Sequence, residues 1–124
     1  MVPLTVPSTN CILIKTDAAW IESVSIAGLG WIVESQNRTS SYSAPAHHVK
    51  SPLAAEALAL LEALVKCREL GLSRIRCESD SAVLIKAIKA ESSLAGLYGI
   101  LADIQALAFS FEYISFHWIS RMRM

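Results

Sequence analysis

The sequence is short of the residues that build covalently or metal-stapled scaffolds. Its 124 residues include three cysteines, at positions 11, 67 and 77. An odd count without paired motif spacing argues against a disulfide framework and against zinc ligation, and favours free thiols in a reducing compartment. Excess charge is missing as well, because eleven basic residues balance eleven acidic ones. A neutral chain gains no general attraction to phosphate backbones or anionic membranes, so any nucleic-acid binding must be local. The longest apolar runs are broken by Glu, Lys or Arg before they reach the length of a membrane span. The first ten residues, MVPLTVPSTN, lack the basic start and continuous apolar segment of a signal peptide. No membrane partner is expected, and the expected location is intracellular, in cytoplasm or nucleus.

What the chain has is apolar mass. A content of 53% hydrophobic, 18% charged and 7% aromatic residues, rich in Ala and Leu, describes a compact core. The length predicts one domain over residues 1–124, with 1–10 as an N-terminal lead. There are no internal repeats and no low-complexity tract.

CILIKTD (11–17) reads as a short interior strand followed by small residues, and SIAGLGWIVES (25–35) as a second strand. NRTSSYSAPAHHV (37–49) is polar and carries Pro45, which suits an edge strand because proline removes a ladder donor. Residues 52–70 predict a helix, with Pro52 in its first turn, Gly71 behind its end, and a Glu62–Lys66 pair on its polar side. SRIRCESD then predicts a strand, SAVLIKAIKA a short helix, residues 97–108 a third helix, and FEYISFHWIS a last strand. The order β-β-β-α-β-α-α-β implies an α/β fold: an antiparallel meander extended by parallel strands returning through right-handed crossovers, in a mixed five-stranded sheet with helices packed on it.

The acids are the candidates for chemistry. Asp17, at the expected end of the first strand, reads as a turn or capping residue, and Asp80 or Ser81 could cap the helix that follows. Glu56 is different, because on a helical projection it shares the sheet-packing face with Leu53, Leu60 and Ala63. A buried carboxylate costs several kcal/mol unless it is paired or holds a cation. A salt bridge to Lys15 is one compensation. The other follows from topology: if the first and fourth strands are parallel neighbours, Asp17 and Asp80 emerge at the edge crossed by the helix carrying Glu56. Three converging carboxylates ask for a divalent metal, and oxygen-only ligands select Mg²⁺ or Mn²⁺ over zinc. Glu78, two residues before Asp80, is a candidate outer-shell partner.

The blocks KTDAAW, AAEALALLEAL, CESDS and FHWISR, in that order, resemble the ribonuclease H-like domain of plant non-LTR retroelement reverse transcriptases and their stand-alone relatives. The resemblance implies a mixed sheet of strand order 3-2-1-4-5. It makes Asp17, Glu56 and Asp80 both metal ligands and catalytic residues, with Asp17 bridging two Mg²⁺ ions. The implied activity is endonucleolytic cleavage of the RNA strand of an RNA/DNA hybrid, selected by duplex shape and the 2′-hydroxyl. It also implies a departure. Arg121 fits the family's Arg-x-x-Asn-x-x-Ala-Asp, Met124 stands where Asn is expected, and the final C-terminal helix with its fourth acid falls past the sequence given. A weakly held second metal is therefore expected, together with a homodimer formed through the sheet face that such a helix covers, around Trp118 and Ile119. The alternative is an inactive nucleic-acid-binding or self-associating remnant of a retroelement ribonuclease H domain. His47 and His48 read as solvated, His117 as structural, and Trp20 as a packing residue or a groove wall. The segment KAESSLAGLYG offers only Lys89 for gripping a substrate.

Overall fold

The computed structural model describes residues 11–90, 94 and 96–120. The N-terminal lead, Arg121 and Met124 lie outside the described residues. The elements are β1 (Ile12–Ile21), β2 (Ile26–Ser35), β3 (Arg38–His47), α1 (Pro52–Glu69), β4 (Arg74–Ser79), α2 (Ala82–Ala90), α3 (Tyr98–Ala108) and β5 (Tyr113–Trp118), with a 3₁₀ turn at Glu22–Val24 between β1 and β2. The sheet order is β3-β2-β1-β4-β5. β1 to β3 form the antiparallel meander, and β4 and β5 run parallel to β1.

One boundary differs from expectation in a way that matters. Asp17 does not close β1, which continues to Ile21. Ala18, Ala19, Trp20 and Ile21 pair with Leu29, Gly28, Ala27 and Ile26 of β2. Alanine is a poor strand former, so local preference pointed to a turn, and cross-strand pairing along a long hairpin overrides it. Asp17 thus sits inside a rigid ribbon. β3 is the edge strand its proline suggested, with Pro45 opposite Gly28.

α1 is built to approach the sheet closely. Ala54, Ala55, Ala57, Ala59 and Ala63 are buried together with Leu60, Leu64 and Cys67. Small side chains on several sides of the helix let it press on β1 and β2 while also touching α3. Its start is fixed twice. The Ser51 hydroxyl accepts the Ala54 amide at 3.0 Å, satisfying one orphan donor of the first turn. The Trp20 indole donates to the Val49 carbonyl at 2.9 Å, which ties the incoming loop to β1. Its end is turned by Gly71 at φ 77°, a conformation that favours glycine. The expected Glu62–Lys66 pair is replaced: Lys66 meets Glu69 at 3.5 Å and lies over the Tyr42 ring.

Ile14, Ile75, Cys77, Leu84 and Ile104 complete the core between sheet and helices. Burial pushes the Cys67 thiol up to about 11 and raises Cys77 well above its ordinary value, with Cys67 adding to the latter shift. The opposite sheet face carries ion pairs. Lys15 pairs with Glu34 at 3.4 Å and Arg76 with Glu78 at 3.2 Å, and His117 stands beside Glu78 in register. Trp118 is 55% exposed, but it shares the face of Ile114 and Phe116, which border the helices. The exposed Trp118 agrees with the apolar surface expected around Trp118 and Ile119, while the helix-free face carries ion pairs.

Candidate metal centre

Three elements bring Asp17, Glu56 and Asp80 together. One carboxylate oxygen from each lies within 4.8 Å of the others. Among the described residues this is the one group of three or more His, Cys, Asp or Glu side chains with metal-ligand spacing. β1 and β4 are adjacent and parallel, with Ile14 opposite Cys77 and Lys15 opposite Glu78, so residues continuing each strand in the same direction reach one edge. α1 crosses there and supplies Glu56 from its second turn.

Each competing role expected of these acids falls to another residue or coexists with the cluster. Lys15 is engaged with Glu34, so it is not the cation opposite Glu56. The cap of α2 is Ser81, whose hydroxyl accepts the Leu84 amide at 3.3 Å. The Ser81 amide in turn donates to the Ser79 hydroxyl at 3.1 Å. This pair of short polar side chains shapes the strand-to-helix turn and leaves the Asp80 carboxylate to the cluster. Asp17 does serve locally, since its Oδ1 accepts the Ala18 amide at 2.9 Å, a contact that orients the carboxylate.

Burial differs across the site. Asp17 is exposed, Asp80 is half-buried, and Glu56 is half-buried with its Oε1 sealed from solvent. At the observed spacing, two carboxylates repel by roughly 3–4 kcal/mol at an effective dielectric of 20, and by about 1 kcal/mol in water. A hard divalent cation offsets that repulsion and accepts oxygen donors only, so the donor set suits Mg²⁺ or Mn²⁺ better than zinc.

Glu78 lies outside this group. Its side chain is 14% exposed and its Oε2 accepts the Arg76 Nε–H at 3.2 Å. The alternation along β4 sends it to the ion-paired face. A residue not assigned to the site from sequence is Trp118: its indole N–H donates to the backbone carbonyl of Asp80 at 3.2 Å. The parallel register that sets Ser79 beside Trp118 creates this contact, and no motif in the sequence announces it. Trp20 anchors the loop entering α1 and so helps to position Glu56. His117 is not among the clustered residues. Burial lowers its pKa from 6.5, with Arg76 and Lys89 adding to the shift and Glu78 opposing it.

No curated protein matches the chain. Solved structures match it over most of its length. It is similar to ribonuclease H1 from the halophilic archaeon Halobacterium salinarum NRC-1, at 18% identity and TM-score 0.80, covering 90% of this chain and 87% of that one. It is similar to the N-terminal ribonuclease H domain of rv2228c from Mycobacterium tuberculosis, at 20% identity and TM-score 0.78, covering 90% and 88%. A third similar structure is LC11-RNase H1, isolated from compost by a metagenomic approach, at 21% identity and TM-score 0.80, covering 92% and 87%. That enzyme is also solved in complex with an RNA/DNA hybrid, matching at 20% identity, TM-score 0.78 and coverage of 90% and 87%. The family profile described as reverse transcriptase-like matches residues 15–123. The chain has the ribonuclease H fold and belongs to the reverse transcriptase-like family.

Proposed function

We propose that this chain is a ribonuclease H-type phosphodiester hydrolase that cuts the RNA strand of an RNA/DNA hybrid, using a divalent cation held by Asp17, Glu56 and Asp80. The observation that carries the reading is the convergence of those three carboxylates within 4.8 Å, on a fold shared with a solved ribonuclease H1 that holds an RNA/DNA hybrid. The donor chemistry fits Mg²⁺ or Mn²⁺. A bound cation there supplies charge neutralisation at the attacking and leaving oxygens of an in-line displacement. The chain's own side chains divide the remaining work. Asp17 presents its carboxylate to solvent, on the side open to a duplex. Glu56 closes the inner wall of the site. Asp80 is steadied through its backbone by Trp118.

The neutral charge balance favours weak, local hybrid binding governed by duplex shape. Three acids favour one well-held cation over two. The test is incubation of an end-labelled hybrid with the chain and Mg²⁺ or Mn²⁺. Cuts confined to the RNA strand, and abolished by Asp17→Asn, are expected. Cutting that survives Asp17→Asn removes the mechanism. Hybrid binding without cuts in either metal leaves the fold as a binding module, the alternative weighed from sequence.

A further inference from the structure

We propose that β5 is a self-association edge, on which a second copy of this chain pairs antiparallel across a two-fold axis at Phe116. β5 ends the sheet, with β4 on one side and no further strand among the described residues on the other. The Tyr113 amide donates to Ser73 at 3.1 Å and the Ile119 amide to Ser79 at 2.9 Å. The two-residue repeat of a strand turns Ser115 and His117 inward too, so Ile114, Phe116 and Trp118 direct their backbone N–H and C=O groups outward.

Sheet edges are normally protected by charge or proline. The other edge follows that rule, since β3 carries Arg38 and Pro45 in a largely polar strand. β5 reads YISFHW, with no Lys, Arg, Asp, Glu or Pro. Beside it lies a cleft of about 230 Å³ whose walls include Ile88, Gln105, Ala108, Phe109, Ile114 and Phe116. Phe109 is 88% exposed and Trp118 55%, and the Gln105 Nε2 is a buried donor without an acceptor.

A second copy fits because the edge is complementary to itself. Antiparallel pairing about Phe116 sets Phe116 against its counterpart and Ile114 against the second copy's Trp118, on the same side as the cleft. Ser115 falls opposite the second copy's His117, and no like charges meet. About six backbone hydrogen bonds would form, with the paired positions being those whose polar groups point outward. The exposed edge of the second copy's Trp118 ring, whose N–H stays on its own Asp80 carbonyl, then borders the cleft beside Phe109.

The test combines sedimentation equilibrium of the full chain across the micromolar range with amide hydrogen exchange. A reversible species of twice 13.5 kDa is expected, in which the Ile114, Phe116 and Trp118 amides gain protection as concentration rises. Phe109→Lys, at an exposed site that leaves the core intact, is expected to weaken association about tenfold or more while the melting temperature of the dilute chain holds. A chain that stays monomeric at high micromolar concentration overturns the proposal and leaves the edge to a strand from another protein. So does a dimer in which those amides exchange freely, or one indifferent to Phe109→Lys.

Discussion

Replacing Asp17 by Asn should raise the melting temperature of the metal-free chain and abolish the stabilisation that Mg²⁺ or Mn²⁺ gives to the unaltered one. The cluster places the Asp17 carboxylate within 4.8 Å of those of Glu56 and Asp80. Because Asp17 is exposed, each repulsion is discounted from the interior value of roughly 3–4 kcal/mol toward the aqueous value of about 1 kcal/mol. Removing two such terms, each near the aqueous value, gives about 2 kcal/mol. Asparagine keeps the Oδ1 acceptor for the Ala18 amide, so this local bond survives the change. For a domain of this size the gain corresponds to a rise of about 6–10 °C. The cation reverses the order at about hundredfold excess over its dissociation constant, where it adds about 2.7 kcal/mol to the unaltered chain. Melting curves followed by circular dichroism, in chelator and then in Mg²⁺ or Mn²⁺, read both effects. An Asp17→Asn chain that melts no higher in chelator, together with an unaltered chain that ignores the cation, would refute the electrostatic reasoning.

Ser51→Ala should cost about 1 kcal/mol by removing the cap of α1, measured as a shift in the urea midpoint with an unchanged slope. Acid should weaken the fold through His117: its folded pKa lies below 6.5, so the unfolded chain takes up the proton first and stability is lost as pH falls from about 6.5 toward the folded value. His117→Asn should flatten that limb in urea titrations at pH 7 and 5.5. Thiol labelling of the native chain with an aromatic disulfide at pH 8 should find Cys11 reactive and Cys67 and Cys77 protected, because both are buried with raised pKa values. All three should react in guanidinium, and rapid native labelling of Cys77 would contradict the packing.

Much of this site was legible in the sequence because its signals conflicted with local rules. Glu56 on the apolar face of an alanine-rich helix has no local explanation, and that misfit points to a compensating partner or a cluster. The mixed five-stranded sheet follows from alternating β and α patterns and the handedness of crossovers, whereas its strand order is what the family resemblance implies. Other features depended on contacts between distant segments. β1 runs past Asp17 because β2 pairs with it, which the preferences of Ala18 and Ala19 could not reveal. Glu78, a candidate outer-shell partner by its place two residues before Asp80, accepts a hydrogen bond from Arg76. The role of Trp118 at the Asp80 carbonyl comes from the β4–β5 register, and the Lys15–Glu34 pair on the helix-free face joins two neighbouring strands. Side-chain pairing across a sheet is written in two segments at once, and a reading along one segment misses it.

Binding of Mn²⁺ followed by electron paramagnetic resonance probes the carboxylate trio without depending on turnover. Titration of the unaltered chain should deplete the free-ion signal with a saturable site, and Glu56→Gln, which keeps the shape of the side chain but not its charge, should weaken that site about tenfold or more. Equal Mn²⁺ binding by the two chains would mean that Asp17, Glu56 and Asp80 are not where the cation is held.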